Sequence, residues 1–215
     1  MCGLIGSINA EWTENPLKLL QHRGPDSQNS IKINNVFLGH TRLSILDLSS
    51  KGGQPMVSHC GRYILIYNGE IYNHIKLRKR LIKRGYSFTS KTDTETLLNS
   101  WIEWGYESVN LLEGIFSFAI YDKNKNYLTI VRDSFGVKPL YLYQKDNILA
   151  FSSEIKALVK LKSFNSAINF ESIVNYLTFL WSPGSKTMYK YIKKILPGDI
   201  LQINSKNLES KYLPL

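Results

Sequence analysis

Two runs of apolar, aromatic and β-branched residues, Phe116–Tyr121 and Tyr127–Val131, are separated by only the polar stretch Asp122-Lys-Asn-Lys-Asn126. Strands this close in sequence can pair only antiparallel, because a parallel crossover needs a dozen or more residues. The pattern recurs in Leu140–Tyr143 and Ile148–Phe151, which flank Gln144-Lys-Asp-Asn147. A further run, Arg62–Tyr67, meets Asn68-Gly69, a dipeptide that signals a type I′ hairpin turn and so predicts the end of that strand. Helical patterns lie between and after these runs. Thr92-Asp-Thr-Glu95 fits a capping box opening a helix to Trp104, with Gly105 as its stop. A helix after Asn169 is expected to turn Ile173, Tyr176 and Leu177 inward. Strands segregated from helices point to an α+β fold of mainly antiparallel sheets covered by helices.

No Pro/Gly/Ser linker divides the 215 residues, so residues 1–215 are read as one large domain. No stretch approaches the ~20 apolar residues that span a bilayer. Asn9, Glu11 and Glu14 interrupt any signal-peptide core, and a cytoplasmic location is expected, with no membrane partner. Cys2 and Cys60 are too few for a disulfide framework. The charge is +10, from 27 Lys and Arg against 17 Asp and Glu, which raises nucleic-acid binding as a function. The densest basic cluster, His74–Gly85, places Leu77, Leu81 and Ile82 on one apolar stripe and spreads its cations over the remaining surface. That is the solvated face of an amphipathic helix, and no zinc spacing or RNA-recognition signature accompanies it, so no nucleic-acid partner is expected.

The chain opens MCGLIG. Removal of Met1 would leave Cys2 with a thiol and a free amine on one residue, a recurring way to join nucleophile and base. Their reference pKa values, near ~8.5 and ~8, suggest that modest stabilisation would populate the thiolate at neutral pH. Further along stand Gln21-His-Arg-Gly-Pro-Asp26, Gly39-His-Thr-Arg-Leu-Ser44, Tyr67-Asn-Gly-Glu-Ile-Tyr-Asn73, Arg132-Asp-Ser-Phe-Gly-Val-Lys-Pro-Leu-Tyr141, Phe151-Ser-Ser-Glu-Ile-Lys-Ala-Leu158 and Leu196-Pro-Gly198. In this order the motifs resemble the glutaminase domain of glutamine-hydrolysing asparagine synthetases, which are class II glutamine amidotransferases with an N-terminal-nucleophile αββα sandwich.

The resemblance implies hydrolysis of L-glutamine to glutamate and ammonia through a thioester on Cys2. It assigns the oxyanion site to the Asn68 side chain and the Gly69 N–H, where losing one donor typically raises the barrier by ~3–4 kcal/mol. Arg42 matches the residue that holds the glutamine α-carboxylate; otherwise it reads as a surface salt bridge. Asp93 and Glu70 match the positions that receive the substrate ammonium, although an acid at Asp93 is also expected on helix-capping and dipole grounds. Leu46 would contribute backbone only. Arg23-Gly-Pro-Asp26 is expected to shape a loop near the pocket, and Arg132, Asp133 and Gly136 to fix a turn against it. His22, His40, His59 and His74 form no metal pattern, and no metal is expected. Cys60 reads as an incidental thiol, and Trp101 and Trp104 as packing.

In the family the released ammonia serves an ATP-dependent synthetase domain, the expected partner, which amidates aspartate. Neither its Gly-rich loop nor GxxxxGK[ST] occurs here, so that domain is expected to be absent and ATP and Mg to belong to it alone. A homodimer is open. Amidation of another carboxylate, such as a sugar acid, and a non-catalytic glutamine-binding or partner-binding module are the alternatives.

Overall fold

A computed structural model of the chain describes residues 1–214. Its strands are β1 (Gly3–Ile8), β2 (Ser27–Ile33), β3 (Val36–Arg42), β4 (Met56–Val57), β5 (Tyr63–Ile71) and β6 (Gly114–Asp122). They continue with β7 (Tyr127–Arg132), β8 (Tyr141–Lys145), β9 (Ile148–Ser152), β10 (Ile192–Lys194), β11 (Ile200–Asn204) and β12 (Ser210–Tyr212). The helices are α1 (His74–Ile82), α2 (Asp93–Trp104), α3 (Ile155–Leu158) and α4 (Phe170–Phe179).

The strands form two six-stranded sheets, ordered β10-β8-β9-β1-β3-β2 and β12-β11-β7-β6-β5-β4, and every pairing is antiparallel. Leu4, Ile8, Val36, Leu38 and Phe151 from the first sheet meet Ile64, Ile66, Ala119, Tyr121, Ile130 and Ile203 from the second in one buried layer. The opposite face of the second sheet carries Leu65, Tyr67, Phe118 and Val131, covered by Leu77 of α1 and by Leu97, Leu98 and Trp101 of α2. The α+β sandwich expected from the sequence is therefore present.

Both expected hairpins form. Between β8 and β9 the turn tightens to Asp146-Asn147, with Lys145 paired to Ile148 and Asp146 at φ 52°. Thr92 caps α2, its hydroxyl accepting from Glu95 N at 3.3 Å. Glu95 does not reach back to Thr92, as a capping box would require; it accepts from Thr89 N and Ser90 N at 2.8 and 2.7 Å. Gly105 ends α2 at φ 60°, a backbone glycine adopts without strain.

Three expectations fail. Strand β5 does not stop at Asn68-Gly69 but runs through to Ile71, paired to β6 throughout. Ile82 leaves the α1 stripe and is exposed, because Leu77 and Leu81 already fill the seam. In α4, Asn169 caps as expected, yet of the residues expected inward Ile173 is half-buried while Tyr176 and Leu177 are exposed, and only Ser172 is buried. Periodicity recognised the apolar face but says nothing about what covers it.

Candidate active site

The side-chain alternation of the strands brings the site together. Leu4 and Ile8 of β1 face the opposite sheet, so one step before Leu4 the same face carries Cys2. In β3, Val36 and Leu38 face inward, followed by His40 and Arg42, and Leu4 pairs with His40. In β5 the inward series Ile64, Ile66 continues to Asn68. At one end of the sandwich the apolar filling thus gives way to Cys2, His40, Arg42 and Asn68. Cys2, Arg42 and Asn68 line a pocket there with Leu46, Gln54, Tyr67, Gly69, Glu70 and Asp93. Its volume is about 160 Å³. That is below the ~300–1,000 Å³ usual for larger ligands and suits an amino acid.

The Cys2 thiol lies 3.4 Å from Leu43 N, from which it accepts, and 3.7 Å from Leu43 O, to which it can donate. Burial pushes its pKa above the usual thiol value and outweighs the downward pull of the Leu43 N–H, the chain-terminal ammonium and Arg42. With Met1 in place the thiol is therefore protonated at neutral pH. In that unprocessed form, proximity to Arg42 does not compensate for desolvation; the expected thiolate concerns the trimmed chain, in which Cys2 carries its own amine.

Asn68 is 2% exposed, and its Nδ2 has no hydrogen-bond partner among the described residues. A buried, unsatisfied amide costs roughly 1–3 kcal/mol, so such a group is commonly kept for a ligand or for chemistry. Gly69 follows from strand parity. On the edge of β5 away from β6, Tyr67 N donates to Gln54 Oε1 at 2.6 Å and Ile71 N donates to Asp93 Oδ2 at 3.1 Å. The Gly69 N–H lies between them, faces the same edge and is taken by no side chain among the described residues. Glycine is required here for close approach, not for a turn: a Cβ would stand 2.3 Å from Ile115 O and 2.6 Å from Phe116 Cα.

Arg42 forms no salt bridge among the described residues, which removes the surface-pair reading. It is 8% exposed, and its two terminal nitrogens donate to Ser49 O, at 2.8 Å, and to Asp47 O. Gly52 leaves room for it, since a Cβ would come within 2.2 Å of Nη2. Two of five N–H donors are thereby used on neutral carbonyls, and the charge remains available to an anion. Asp93 opens α2 and accepts at Oδ2 from the Tyr67 hydroxyl, 2.6 Å, as well as from Ile71 N. Its other oxygen has no partner among the described hydrogen bonds. Glu70 is exposed at the rim, and Leu46 is 43% exposed there. The predicted residues are thus gathered in one pocket, with a buried guanidinium, carboxylates, a thiol and two donors unpaired among the described residues.

Compared with known proteins, residues 1–213 match the Glutamine amidotransferase domain family. The chain belongs to that family. It is 36% identical over 208 residues to "Asparagine synthetase [glutamine-hydrolyzing] 1" of Bacillus subtilis, a match covering 92% of this chain and 33% of the relative. To "Probable asparagine synthetase [glutamine-hydrolyzing]" of Schizosaccharomyces pombe it is 42% identical over 199 residues, covering 85% of this chain and 35% of the relative. The domain thus spans about a third of the length of these relatives. Its fold superposes with a TM-score of 0.74, at 20% identity, on the glutamine phosphoribosylpyrophosphate amidotransferase of B. subtilis, covering 98% of this chain and 49% of that one. The αββα arrangement is the N-terminal-nucleophile fold.

Several contacts of this amidotransferase domain had no local signal. Arg23, expected only to shape a loop, is 9% exposed and donates from Nε to Cys2 O at 3.0 Å. Gln54 and Tyr67 order the β5 edge through the bonds described above. His40 is fully buried, with Nε2 3.0 Å from Tyr67 O, and burial pushes its pKa down to about 4. Asp133 does fix a turn, accepting from Phe135 N and Val137 N at Oδ1 and from Phe116 N and Lys138 N at Oδ2, which sets Lys138 at the pocket rim. Among the described residues no cluster of His, Cys, Asp and Glu could hold a metal ion, and no helix is long and apolar enough to cross a membrane. Cys60 is exposed, 3.3 Å from Ser58 Oγ and outside the pocket.

Proposed function

We propose that this domain hydrolyses L-glutamine to glutamate and ammonia with Cys2 as nucleophile, and that removal of Met1 activates it. The observation that carries this reading is the buried, unpartnered Asn68 amide in the same pocket as the Cys2 thiol. Arg42 binds the substrate α-carboxylate, while Asp93, Glu70 and the Leu46 backbone receive its ammonium. The Cys2 thiolate then adds to the side-chain carbonyl carbon. Charge develops on the amide oxygen, which Asn68 Nδ2–H and Gly69 N–H stabilise. Collapse breaks the C–N bond. The Cys2 α-ammonium, having taken the thiol proton, passes it to the departing nitrogen, leaving ammonia and a γ-glutamyl thioester. Water, deprotonated by the α-amine, attacks the thioester, releasing glutamate and restoring the thiol.

Met1 matters in two ways. It acylates the amine that would serve as base, and it lines the pocket. Its loss would free that base and widen access. By analogy with the relatives, the ammonia passes to a fused synthetase region that amidates aspartate or another carboxylate, such as a sugar acid, and ATP and Mg belong to that region. The test is ammonia release from glutamine, with intact mass reporting whether Met1 is gone. Turnover in the trimmed chain that disappears in Cys2→Ala supports the reading. Glutamine binding without turnover in a trimmed, folded chain favours a binding module.

A further inference from the structure

Glu154 lies outside the pocket that holds Cys2, yet two cations and an imidazole converge on its carboxylate: Arg23 Nη1 at 3.0 Å and His22 Nε2 at 2.7 Å on Oε1, and Lys156 Nζ at 3.2 Å on Oε2. The partners differ in burial. His22 and Lys156 side chains are about half exposed, at 51% and 50%, whereas Arg23 is 8% exposed. An exposed ion pair contributes little, but a buried guanidinium without its counterion is strongly unfavourable. The pair with Arg23 is therefore the one with consequence. These cations and hydrogen bonds hold the Glu154 carboxyl below its usual range despite the opposing effect of partial burial, so it stays ionised at neutral pH.

Arg23 uses its remaining face on the nucleophile, donating from Nε to Cys2 O. The guanidinium is planar, so fixing Nη1 on Glu154 fixes the direction of the Nε–H bond. That bond in turn sets the Cys2–Gly3 peptide plane, from which the Cys2 Cα and its Cβ–Sγ arm project. The same segment pins the next residue. Ser153 Oγ accepts from Leu4 N at 2.9 Å, and Ser153 N donates to Leu4 O at 2.9 Å. Residues 152–154 thus grip the start of β1 from the β9 side, and Glu154 extends that grip around Arg23 to Cys2.

We propose that Glu154 is a positioning residue for the Cys2 nucleophile, acting through Arg23. The inference rests on the proposed role of Cys2 and goes beyond it, because Glu154 touches neither substrate nor thiol. It retains the Cys2 backbone in the orientation that aims Sγ at the pocket. Loss of that orientation slows attack without weakening the grip on glutamine, which Arg42 and Asp93 supply from other elements.

The experiment compares Glu154→Gln with the parent domain in a Cys60→Ser background. It measures kcat and KM for glutamine, the melting temperature, and the rate at which iodoacetamide alkylates Cys2. The expected result is kcat lowered about tenfold, less than the ~100-fold that a 1 Å misplacement can cause, with KM changed less than about twofold. The alkylation rate should change in the same variant, and in an Arg23→Met background Glu154→Gln should have little further effect. Unchanged kcat and alkylation in a folded Glu154→Gln protein would overturn the proposal. So would a fall in kcat that adds fully to that of Arg23→Met, or one matched by loss of folded protein. If the parent domain itself releases no ammonia, the catalytic reading has failed. The alkylation rates and their non-additivity still decide whether Glu154 orients Cys2.

Discussion

Asn68 is a residue whose chemistry and stability effects should separate. Among the described residues its Nδ2 is buried without a partner, and across the ladder Ser117 Oγ is unpartnered as well. An unsatisfied buried polar group destabilises the fold by roughly 1–3 kcal/mol. Replacing Asn68 with Leu, of similar size, removes that penalty and extends the apolar series Ile64, Ile66 by one position. Allowing for some strain from the altered shape, Asn68→Leu should raise the unfolding free energy by about 1 kcal/mol. The same change removes an oxyanion donor, so kcat should fall about 10²–10³-fold, equivalent to ~3–4 kcal/mol of barrier. KM should move little, because the donor acts on charge that develops only in the transition state. Urea titration and steady-state ammonia release on one preparation read both effects. A variant that is less stable by more than about 1 kcal/mol would show that the amide is already satisfied in the resting fold. A variant with kcat within a few-fold of the parent would refute Asn68 as an oxyanion donor.

Three other substitutions or conditions follow from the same geometry. His40 has a folded pKa of about 4 against ~6.5 unfolded, so its stabilising contribution is complete above the unfolded value and is lost as pH falls through the folded one. Denaturant titrations should lose roughly 3 kcal/mol across that window, and His40→Gln should abolish this share while leaving the decline due to carboxylates. Gly69→Ala should cost at least ~2 kcal/mol by calorimetry, since its Cβ meets Ile115 O at 2.3 Å; a melting temperature equal to the parent would show that β5 and β6 can separate freely there. In Arg42→Lys a single ammonium replaces the fork that spans Ser49 O and Asp47 O, so KM for glutamine should rise about tenfold or more with a smaller effect on kcat. An unchanged KM would place the carboxylate elsewhere.

Much of the site could be anticipated because it is carried by short segments whose order survives in the sequence: MCGLIG, the Arg42 segment, Asn68-Gly69-Glu70 and the Thr92 cap. Local signals misled where a distant strand decided the conformation. Asn68-Gly69 has the chemistry of a turn, but β6 lies alongside it and glycine is needed so that Ile115 and Phe116 can approach. Arg23 was similarly opaque, since its contact with Cys2 exists only when the loop before β2 packs against the start of β1. With Met1 in place, the state of the Cys2 thiol could not be read from reference values, because burial outweighs the favourable charge of Arg42. Tyr176 and Leu177 carry the right spacing for burial, but they are exposed on α4, because spacing marks an apolar face without supplying what packs on it.

The central claim is that Cys2 carries the acyl group. The most direct measurement is mass spectrometry of the domain quenched in acid during glutamine turnover, followed by peptide mapping. The expected result is a γ-glutamyl adduct on a peptide that begins at Cys2, without Met1, and no adduct in Cys2→Ala. Turnover that persists in Cys2→Ala, or an adduct on Cys60 instead, would contradict it.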